Sequence, residues 1–314
     1  EATLGARWFA DSVDFFQDTT FYGAEAALFA TEPTYINPET GDVQVYFGDG
    51  YETKDFLFKA ALAWYPTDQA MIYGSATRGF RSGTPNLFSA LSAGPPIVRP
   101  DFVLNYEIGA KTSWLNDALI LNVAAYQIDW TDLQGLLVGE ACLGRACGVP
   151  FAYLGNGGDA VVRGAELQAL IMPMELLSIS IGVGYNTGEM VDPAPENEVK
   201  RGSELPNKPK WTASVGATYS QPLFGSLMMD VNGTFTYVDD QLTVFQIPDV
   251  PDGVPLDSYI MLKGAIGLSG ETWRVQLFGD NLTDERVVVA KSLPSPQSSV
   301  MRPRTIGLRV AVDY

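Results

Sequence analysis

Apolar and polar residues alternate along this chain over stretches as long as residues 227–237. Every second residue from Leu227 to Tyr237 is apolar or glycine, and the residues between them are mostly polar. A period of two places successive side chains on opposite faces of a β-strand. Strands in soluble proteins usually have about five or six residues, whereas a tilted strand needs roughly 9–11 residues to cross a bilayer. The alternation therefore favours strands that cross a membrane.

The same period returns at residues 177–186, 211–219, 272–277 and 304–314. A large soluble β-protein would also show it, because one face of each strand would meet water and the other would pack a core. No apolar run approaches the roughly 18 residues of a membrane-spanning helix, so any span in this chain has to be made of strands. A single strand does not decide between the two classes of protein.

The lengths of the connections between strands separate the two classes. Short connections alternate strictly with long ones, which is typical of an up-and-down outer-membrane barrel with tight periplasmic turns and long outer loops. A sandwich with Greek-key crossovers gives no reason for this alternation. We therefore predict an all-β fold, a transmembrane antiparallel up-and-down β-barrel that forms one domain over residues 1–314. The predicted strands are 1–10, 54–65, 69–80, 103–114, 118–131, 160–171, 176–187, 210–220, 226–239, 257–268, 272–280 and 302–314.

Charge and composition exclude several classes of function. The chain has 20 Lys and Arg against 37 Asp and Glu, a formal net charge of -17. A nucleic-acid partner is therefore not expected, since phosphate binding needs a basic face. The absence of histidine removes the usual general base of Ser and Cys hydrolases and the commonest zinc ligand, so we predict no enzyme activity, no metal site and no cofactor.

Seven segments in a fixed order resemble the TonB-dependent outer-membrane receptors, over nearly the whole chain. The last segment is the most specific, because family members usually close on a strand of this kind with a terminal aromatic residue. The segments are Leu4-Gly5-Ala6-Arg7-Trp8, Ile72-Tyr73-Gly74-Ser75-Ala76-Thr77-Arg78-Gly79-Phe80-Arg81-Ser82-Gly83, Tyr106-Glu107-Ile108-Gly109-Ala110-Lys111, Gly164-Ala165-Glu166-Leu167, Leu205-Pro206-Asn207-Lys208-Pro209-Lys210-Trp211, Phe278-Gly279-Asp280-Asn281-Leu282-Thr283-Asp284, and Pro303-Arg304-Thr305-Ile306-Gly307-Leu308 running on to Tyr314.

The resemblance implies the C-terminal part of a receptor barrel of about 22 strands whose lumen holds an N-terminal plug domain. The plug domain, its energy-coupling box and the first strands would then precede Glu1. The implied location is the outer membrane of a Gram-negative bacterium, with outer-membrane lipid, the energy-coupling TonB protein and the barrel-assembly machinery as partners. Tyr314, with Val312 and Val310, would be the signal that the assembly machinery reads.

The implied function is energised uptake of a scarce solute, such as a siderophore-type iron chelate, cobalamin or an oligosaccharide. One alternative is a truncated or split receptor that transports nothing by itself. Another is a stand-alone outer-membrane barrel of about twelve strands, a size that bacterial barrels do adopt. An enzyme built on such a barrel is disfavoured by the absence of histidine.

Candidate solute-binding residues come from three predicted outer loops, because aromatic and amide groups on loops are common binding groups. Packing within the loops is the alternative explanation for each of them. The candidates are Arg81, Asn86 and Phe88 in one loop, Tyr153 and Asn156 in a second, and Gln241 and Phe245 in a third.

Two further sets of residues carry predictions. Cys142 and Cys147 share a predicted outer loop, and a disulfide is expected in an oxidising compartment, with free or metal-bound thiols as the alternative.

A polar set at alternate strand positions is predicted to face the lumen, where it would contact a plug or solute or simply line a wet interior. That set is Arg7, Lys59, Asn105, Glu107, Lys111, Glu166, Gln168, Asp230, Asn232, Arg274, Gln276 and Arg309.

Overall fold

The computed structural model describes residues 1–13, 17–21, 34–36, 43–47, 51–85, 97–143, 146–195, 199–245, 253–291 and 298–312. None of these residues belongs to a helix that is long and apolar enough to span a membrane. Twelve long strands, β1 to β12 in chain order, form one sheet. Their bounds are Ala2–Val13, Tyr51–Thr67, Ala70–Arg81, Asp101–Trp114, Leu119–Thr131, Gly158–Met174, Leu177–Pro193, Trp211–Pro222, Met228–Val238, Tyr259–Ser269, Trp273–Asp280 and Thr305–Val312.

The sheet is a meander in which each strand pairs antiparallel with the next strand of the chain. Every predicted strand coincides with one of the twelve, so the predicted strand order and direction are confirmed. Among the described residues, β1 pairs only with β2 and β12 only with β11, and the sheet is therefore open.

The connections fall on two edges of the sheet with different properties. Five connections have two to five residues and leave one edge, which we call the periplasmic edge after the predicted orientation. The connections at the outer edge are long and carry their own short strands. These are Gln17–Phe21, Thr34–Ile36 and Val43–Phe47 in one three-stranded sheet, and the hairpins Thr84–Pro85 with Ile97–Val98, Gln134–Leu143 with Ala146–Asn156, Gln241–Leu242 with Pro255–Leu256, and Val288–Lys291 with Ser298–Val300.

One face of the sheet is apolar and exposed. Val231 of β9 lies opposite Ile266 of β10, which lies opposite Leu277 of β11, which in turn lies opposite Leu308 of β12. Residues that lie directly opposite each other in an antiparallel pair share a face. Leu308 is 65% exposed, and comparably exposed Trp, Leu, Ile and Val residues cover this face from β1 to β12. A face of this kind is stable against lipid and would be an aggregation site in water.

The opposite face is polar, as the alternation predicts. Glu107 lies opposite Tyr126, and Asn122 lies opposite both Lys111 and Gln168, so these side chains share the face that does not carry Val231 or Leu308. The same registers place all twelve residues of the predicted lumen set on this face, and that prediction is confirmed.

Aromatic rings lie across glycines on this inward face. A Cβ atom added at Gly109 would lie 2.6 Å from ring atoms of Tyr73, so the absence of a side chain is what lets the ring pack on the neighbouring strand. Three such pairs occur, and in each the aromatic residue and the glycine lie directly opposite each other on two adjacent strands. The pairs are Tyr73 with Gly109, Tyr126 with Gly164, and Phe278 with Gly307.

Candidate solute-binding site

The outer loops pack together into an apolar cluster above the ends of β5, β6 and β7. Loops that are far apart in sequence contribute to it, because each has too few apolar residues to form a core alone. Met190 and Ala160, from the outer ends of β7 and β6, lie at its base and are almost fully buried. The other members are Leu133, Leu137, Val199, Leu205 and Phe245, with Trp130 and Val162 packed against them.

Asp101, the first residue of β4, holds the loop that follows Arg81 and the loop that contains Gln134 to the sheet. Its side chain is 1% exposed and accepts hydrogen bonds from Arg81 Nε at 3.0 Å, Trp130 Nε1 at 2.9 Å and the backbone amide of Gln134 at 3.1 Å. A buried carboxylate is stable only when it is paired and hydrogen-bonded, and the Arg81 guanidinium meets that need. The guanidinium also donates to the Gln134 carbonyl at 2.9 Å. Asp101 and Arg81 therefore fix the start of the hairpin that begins at Gln134.

Asn156 fixes the other end of the same hairpin. Its Oδ1 accepts the backbone amide of Arg99 at 2.8 Å, and its Nδ2 donates to the carbonyls of Arg99 at 2.9 Å and Asp132 at 2.8 Å. The backbone groups at this point have left the ladder of the main sheet and need side-chain partners. Because Gln134 and Asn156 lie opposite each other, both ends of the hairpin are anchored at one level above the sheet.

One lysine holds the loop between β7 and β8 against the wall, and a second forms an ion pair within that loop. Lys208 Nζ donates to the carbonyl of Asn186 at 3.3 Å, and burial lowers the pKa of its ammonium group. Lys210 Nζ lies 2.6 Å from Glu204 Oε1, and the hydrogen bond to that carboxylate raises the pKa of Lys210. Neither lysine is directed into the cavity described next.

A cavity of about 330 Å³ opens where four outer loops meet. Its apolar lining includes Trp130 and Phe245, and its polar lining includes Gln134 and Lys291. Lys291 is the only charged residue among the described residues that line it, and its ammonium group donates to the carbonyl of Pro255 at 3.1 Å. An apolar cavity with a few convergent polar groups is the usual form of a small-molecule site. This one would accept a flat apolar group beside a neutral or anionic one.

A second cavity, of about 520 Å³, lies lower, on the inward face of β3 to β6. Tyr73 donates its hydroxyl hydrogen to Glu107 at 2.7 Å, and the Lys111 ammonium group lies 5.9 Å from the centre of the Tyr73 ring. Glu166 and Gln168 complete a polar wall that presents two carboxylates to the lumen. Such a wall can hold a cationic, hydrogen-bonding surface.

The predicted solute-binding residues have different surroundings. Arg81 and Asn156 make the anchoring contacts described above, and Gln241 is half-buried in a short strand opposite Leu256. Phe245 is buried and lines the outer cavity. Asn86 and Phe88 lie outside the described residues, and Tyr153 belongs to a strand whose side chain at that position is not described. A solute-binding role for these seven residues stays a prediction.

Phe245 is the only predicted solute-binding residue among the described residues that line the cavity, and those that sequence reasoning missed include Trp130, Gln134 and Lys291. Trp130 had a signal, because it continues the inward-facing series of β5. Gln134 and Lys291 had none, since nothing in the sequence indicates which loops meet.

The remaining predicted residues are described in part. Cys142 and Cys147 lie on the two paired strands of the hairpin at 134–156, but their side chains are not described, so the disulfide stays a prediction. Val310 and Val312 lie on β12, opposite Val275 and Trp273. Tyr314 lies outside the described residues, and its role in assembly stays a prediction.

Comparison with known proteins places this architecture in a family. Residues 1–282 match the family described as TonB dependent receptor-like, beta-barrel. The ferric yersiniabactin uptake receptor of Yersinia pestis has a TM-score of 0.68 at 16% identity, with 100% of this chain and 47% of that chain covered. The siderophore receptor PiuA of Acinetobacter baumannii has a TM-score of 0.69 at 20% sequence identity, with 100% of this chain and 40% of that chain covered. The ferric-catecholate import receptor Fiu of E. coli K12 has a TM-score of 0.72 at 16% sequence identity, with 99% of this chain and 42% of that chain covered. The chain thus spans less than half of each of these structures.

Proposed function

Because this chain belongs to the TonB-dependent receptor β-barrel family, we propose that it forms part of the wall and outer mouth of an energised receptor for an iron chelate. Members of the family are outer-membrane proteins of Gram-negative bacteria, and the exposed apolar face places this chain in that membrane. The three structures named above are receptors for siderophores or ferric chelates, which supports this class of solute over cobalamin or an oligosaccharide.

The observation that carries the proposal is the cavity at the outer mouth. It is built from four loops, and its chemistry, apolar walls with one cation, suits an anionic chelate that also carries apolar groups. Electrostatic attraction matters here because the chain as a whole has a net charge of -17 and would repel an anion elsewhere on its surface. Lys291 would supply the local positive charge that such a solute needs.

The inward face supports the second part of the proposed function, in which a plug domain closes the lumen until TonB pulls on it from the periplasm. Glu107 and Glu166 present carboxylates on the wall of the lower cavity, with Tyr73 and Lys111 beside them. A plug with Arg or Lys side chains at this level would form charge-assisted hydrogen bonds with the two carboxylates. The coupling force would then have to break those bonds before solute could pass.

The test of the outer site is a charge reversal at Lys291. The full receptor that contains this chain would carry Lys291→Glu, and equilibrium binding and cellular uptake of a radiolabelled ferric siderophore would be measured. We expect binding at least tenfold weaker, because the reversal replaces the one attractive charge among the described lining residues with a charge that repels an anionic solute. The matched control is Lys200→Glu, an exposed outer-loop lysine that does not line the cavity.

Equal loss of binding in both variants would mean that only the overall charge matters and would remove the cavity from the proposal. Normal binding in both variants would also remove the cavity from the proposal. A wild-type receptor that binds the chelate but does not take it up in cells with active TonB would instead point to a receptor without transport of its own.

A further inference from the structure

The long outer loop between β11 and β12 carries the one charged side chain among the described residues that line the outer cavity, Lys291. Lys291 ends the short strand Val288–Lys291, which pairs with Ser298–Val300, and we call this pair of strands the Lys291 hairpin. A lysine side chain has a long flexible stem, so the position of its ammonium group depends on where the backbone carries it. The base of the Lys291 hairpin therefore controls whether the charge reaches the cavity.

Asn281 lies at this base and is only 3% exposed. Its Nδ2 donates to the carbonyls of Glu285 and Arg302, both at 2.9 Å, and its Oδ1 accepts the backbone amide of Glu285 at 3.0 Å. Glu285 precedes the Lys291 hairpin and Arg302 follows it, so one side chain joins the segments that lead into and out of the hairpin. Asn281 has a φ angle of 49°, in the left-handed region where asparagine is enriched.

Asp284 forms a second tie between the same two segments. Its Oδ1 accepts the backbone amide of Arg304 at 3.0 Å, and its Oδ2 lies 3.2 Å from Arg286 Nη2. The hydrogen bond from that amide, together with the one from Arg286, holds the pKa of the Asp284 carboxyl below its ordinary value. The backbone amide of Met301 donates to the carbonyl of Val287 at 2.9 Å, which continues the pairing from the base into the Lys291 hairpin.

The base is also fixed to the wall. The backbone amide of Leu282 donates to the carbonyl of Leu262 on β10 at 2.8 Å, and the Leu282 side chain packs across Gly279 of β11, where an added Cβ atom would collide with it. At the other end of the hairpin strand, the Lys291 ammonium group donates to the carbonyl of Pro255 on the neighbouring outer loop. Contacts therefore link the wall, the base of the loop and the cavity.

We propose that Asn281 is a positioning residue for solute binding, which holds together the two segments at the base of the β11–β12 loop and so directs the Lys291 ammonium group into the outer cavity. The proposal rests on the proposed function, in which Lys291 attracts an anionic chelate. Asn281 does not line the cavity, so it acts on the solute through Lys291. Its effect on binding therefore depends on the presence of Lys291, a dependence that a general role in folding would not produce.

The test is a double-mutant cycle in the full receptor in nanodiscs, with affinity for the radiolabelled ferric siderophore as the readout. Asn281→Gly removes the side chain but tolerates the left-handed φ angle, and Lys291→Met removes the charge but keeps a long side chain. We expect Asn281→Gly to weaken binding about fivefold when Lys291 is present, and less than about twofold in the Lys291→Met background.

The matched control is Asn156→Ala, which removes the side chain that anchors the end of the hairpin at 134–156. Any change in affinity that it causes should be the same factor in both backgrounds, because Asn156 shares no contact with the β11–β12 loop among the described hydrogen bonds. The heat-modifiable fraction of each variant confirms that the barrel is folded.

Spin labels report the position of the Lys291 hairpin without any solute. Labels on noncanonical residues at Ala290, exposed on the hairpin, and at Leu223, exposed in the periplasmic turn between β8 and β9, give the distance between the hairpin and the wall. We expect a narrow distribution of distances in the wild-type receptor and in Asn156→Ala, and a broader or displaced one in Asn281→Gly.

An equal loss of affinity on Asn281→Gly in both backgrounds overturns the positioning role, and so does an unchanged distribution of distances. Normal binding by Lys291→Met overturns the positioning role together with the proposed solute site. When Lys291→Met weakens binding, the proposed site stands, and an additive cycle then overturns the positioning role alone.

Discussion

The assignment of the two faces of the wall can be tested with adjacent residues on one strand. Val231 and Asn232 are neighbours on β9, but Val231 lies opposite Tyr219 and Ile266 on the apolar face, whereas Asn232 lies opposite Thr218 and Ala265 on the inward face. Arginine at position 231 would enter lipid, and arginine at position 232 would enter the polar lumen. The two variants add the same side chain at nearly the same depth.

The expected cost follows from the depth of Val231 in the membrane. Val231 is the fourth residue of β9 counted from the periplasmic edge, so it lies about 10 Å along the strand and, with a tilt of about 40°, about 8 Å above that edge. An apolar band about 25 Å tall puts it within about 5 Å of the midplane, where arginine costs about 2–4 kcal/mol and the cost falls towards the interfaces. We therefore expect Val231→Arg to destabilise the folded barrel by about 2–3 kcal/mol, and Asn232→Arg by less than about 1 kcal/mol.

The measurement is equilibrium unfolding in urea of the full receptor refolded into phosphatidylcholine vesicles, with the amount of folded receptor in outer membranes as the readout in cells. A difference of about 2 kcal/mol corresponds to roughly thirtyfold in the folding equilibrium, which both assays resolve. Equal destabilisation by the two variants, or a larger effect at Asn232, would refute the assignment of faces.

Three further predictions follow from single contacts. Gly109→Ala should destabilise the barrel by about 1–3 kcal/mol, since its Cβ would meet the Tyr73 ring, whereas Gly5→Ala, with no atom nearer than 4.0 Å, should be almost neutral in the same urea assay. Asp101→Asn removes the charge that pairs with Arg81 and should make the outer hairpin more sensitive to trypsin in intact cells, with the amount of receptor unchanged. Deletion of Tyr314 should reduce insertion into the outer membrane, measured as the heat-modifiable fraction, and normal insertion would contradict the role given to the C-terminus.

The wall was predictable from the sequence because lipid imposes a local rule on it. Membrane-facing positions must be apolar whatever their neighbours are, so the period of two survives in five segments, and the alternation of short and long connections locates the remaining strands. The same rule explains where the predicted bounds were too short. Residues 188–193 extend β7 beyond the predicted 176–187 and pair with the start of β6, above the level at which lipid dictates the pattern.

The candidate site was much less predictable, because its contacts join residues that no local rule connects. The cavity brings Gln134 together with Phe245 and Lys291, which lie on three different loops. The ion pair of Arg81 with Asp101 depends on the register between β3 and β4, and the long loop between these strands does not fix that register. Sequence composition indicates that the loops carry polar and aromatic groups, but not which of those groups meet.

The surroundings of Arg81 and Asn156 suggest how the remaining candidates should be ranked. Both lie where the chain leaves a paired strand, and there the backbone amides and carbonyls lose their ladder partners and recruit nearby polar side chains. An apolar residue farther along a loop has no such role, and buried Phe245 lines the cavity instead. Phe88 follows Arg81 along the same loop and is apolar, so we expect Phe88→Ala to weaken siderophore binding while leaving the trypsin resistance of the outer hairpin intact. Arg81→Ala should leave siderophore binding intact and lower the trypsin resistance of the outer hairpin. If instead Phe88→Ala lowers the trypsin resistance and Arg81→Ala weakens siderophore binding, position along the loop does not separate anchoring residues from solute-binding ones.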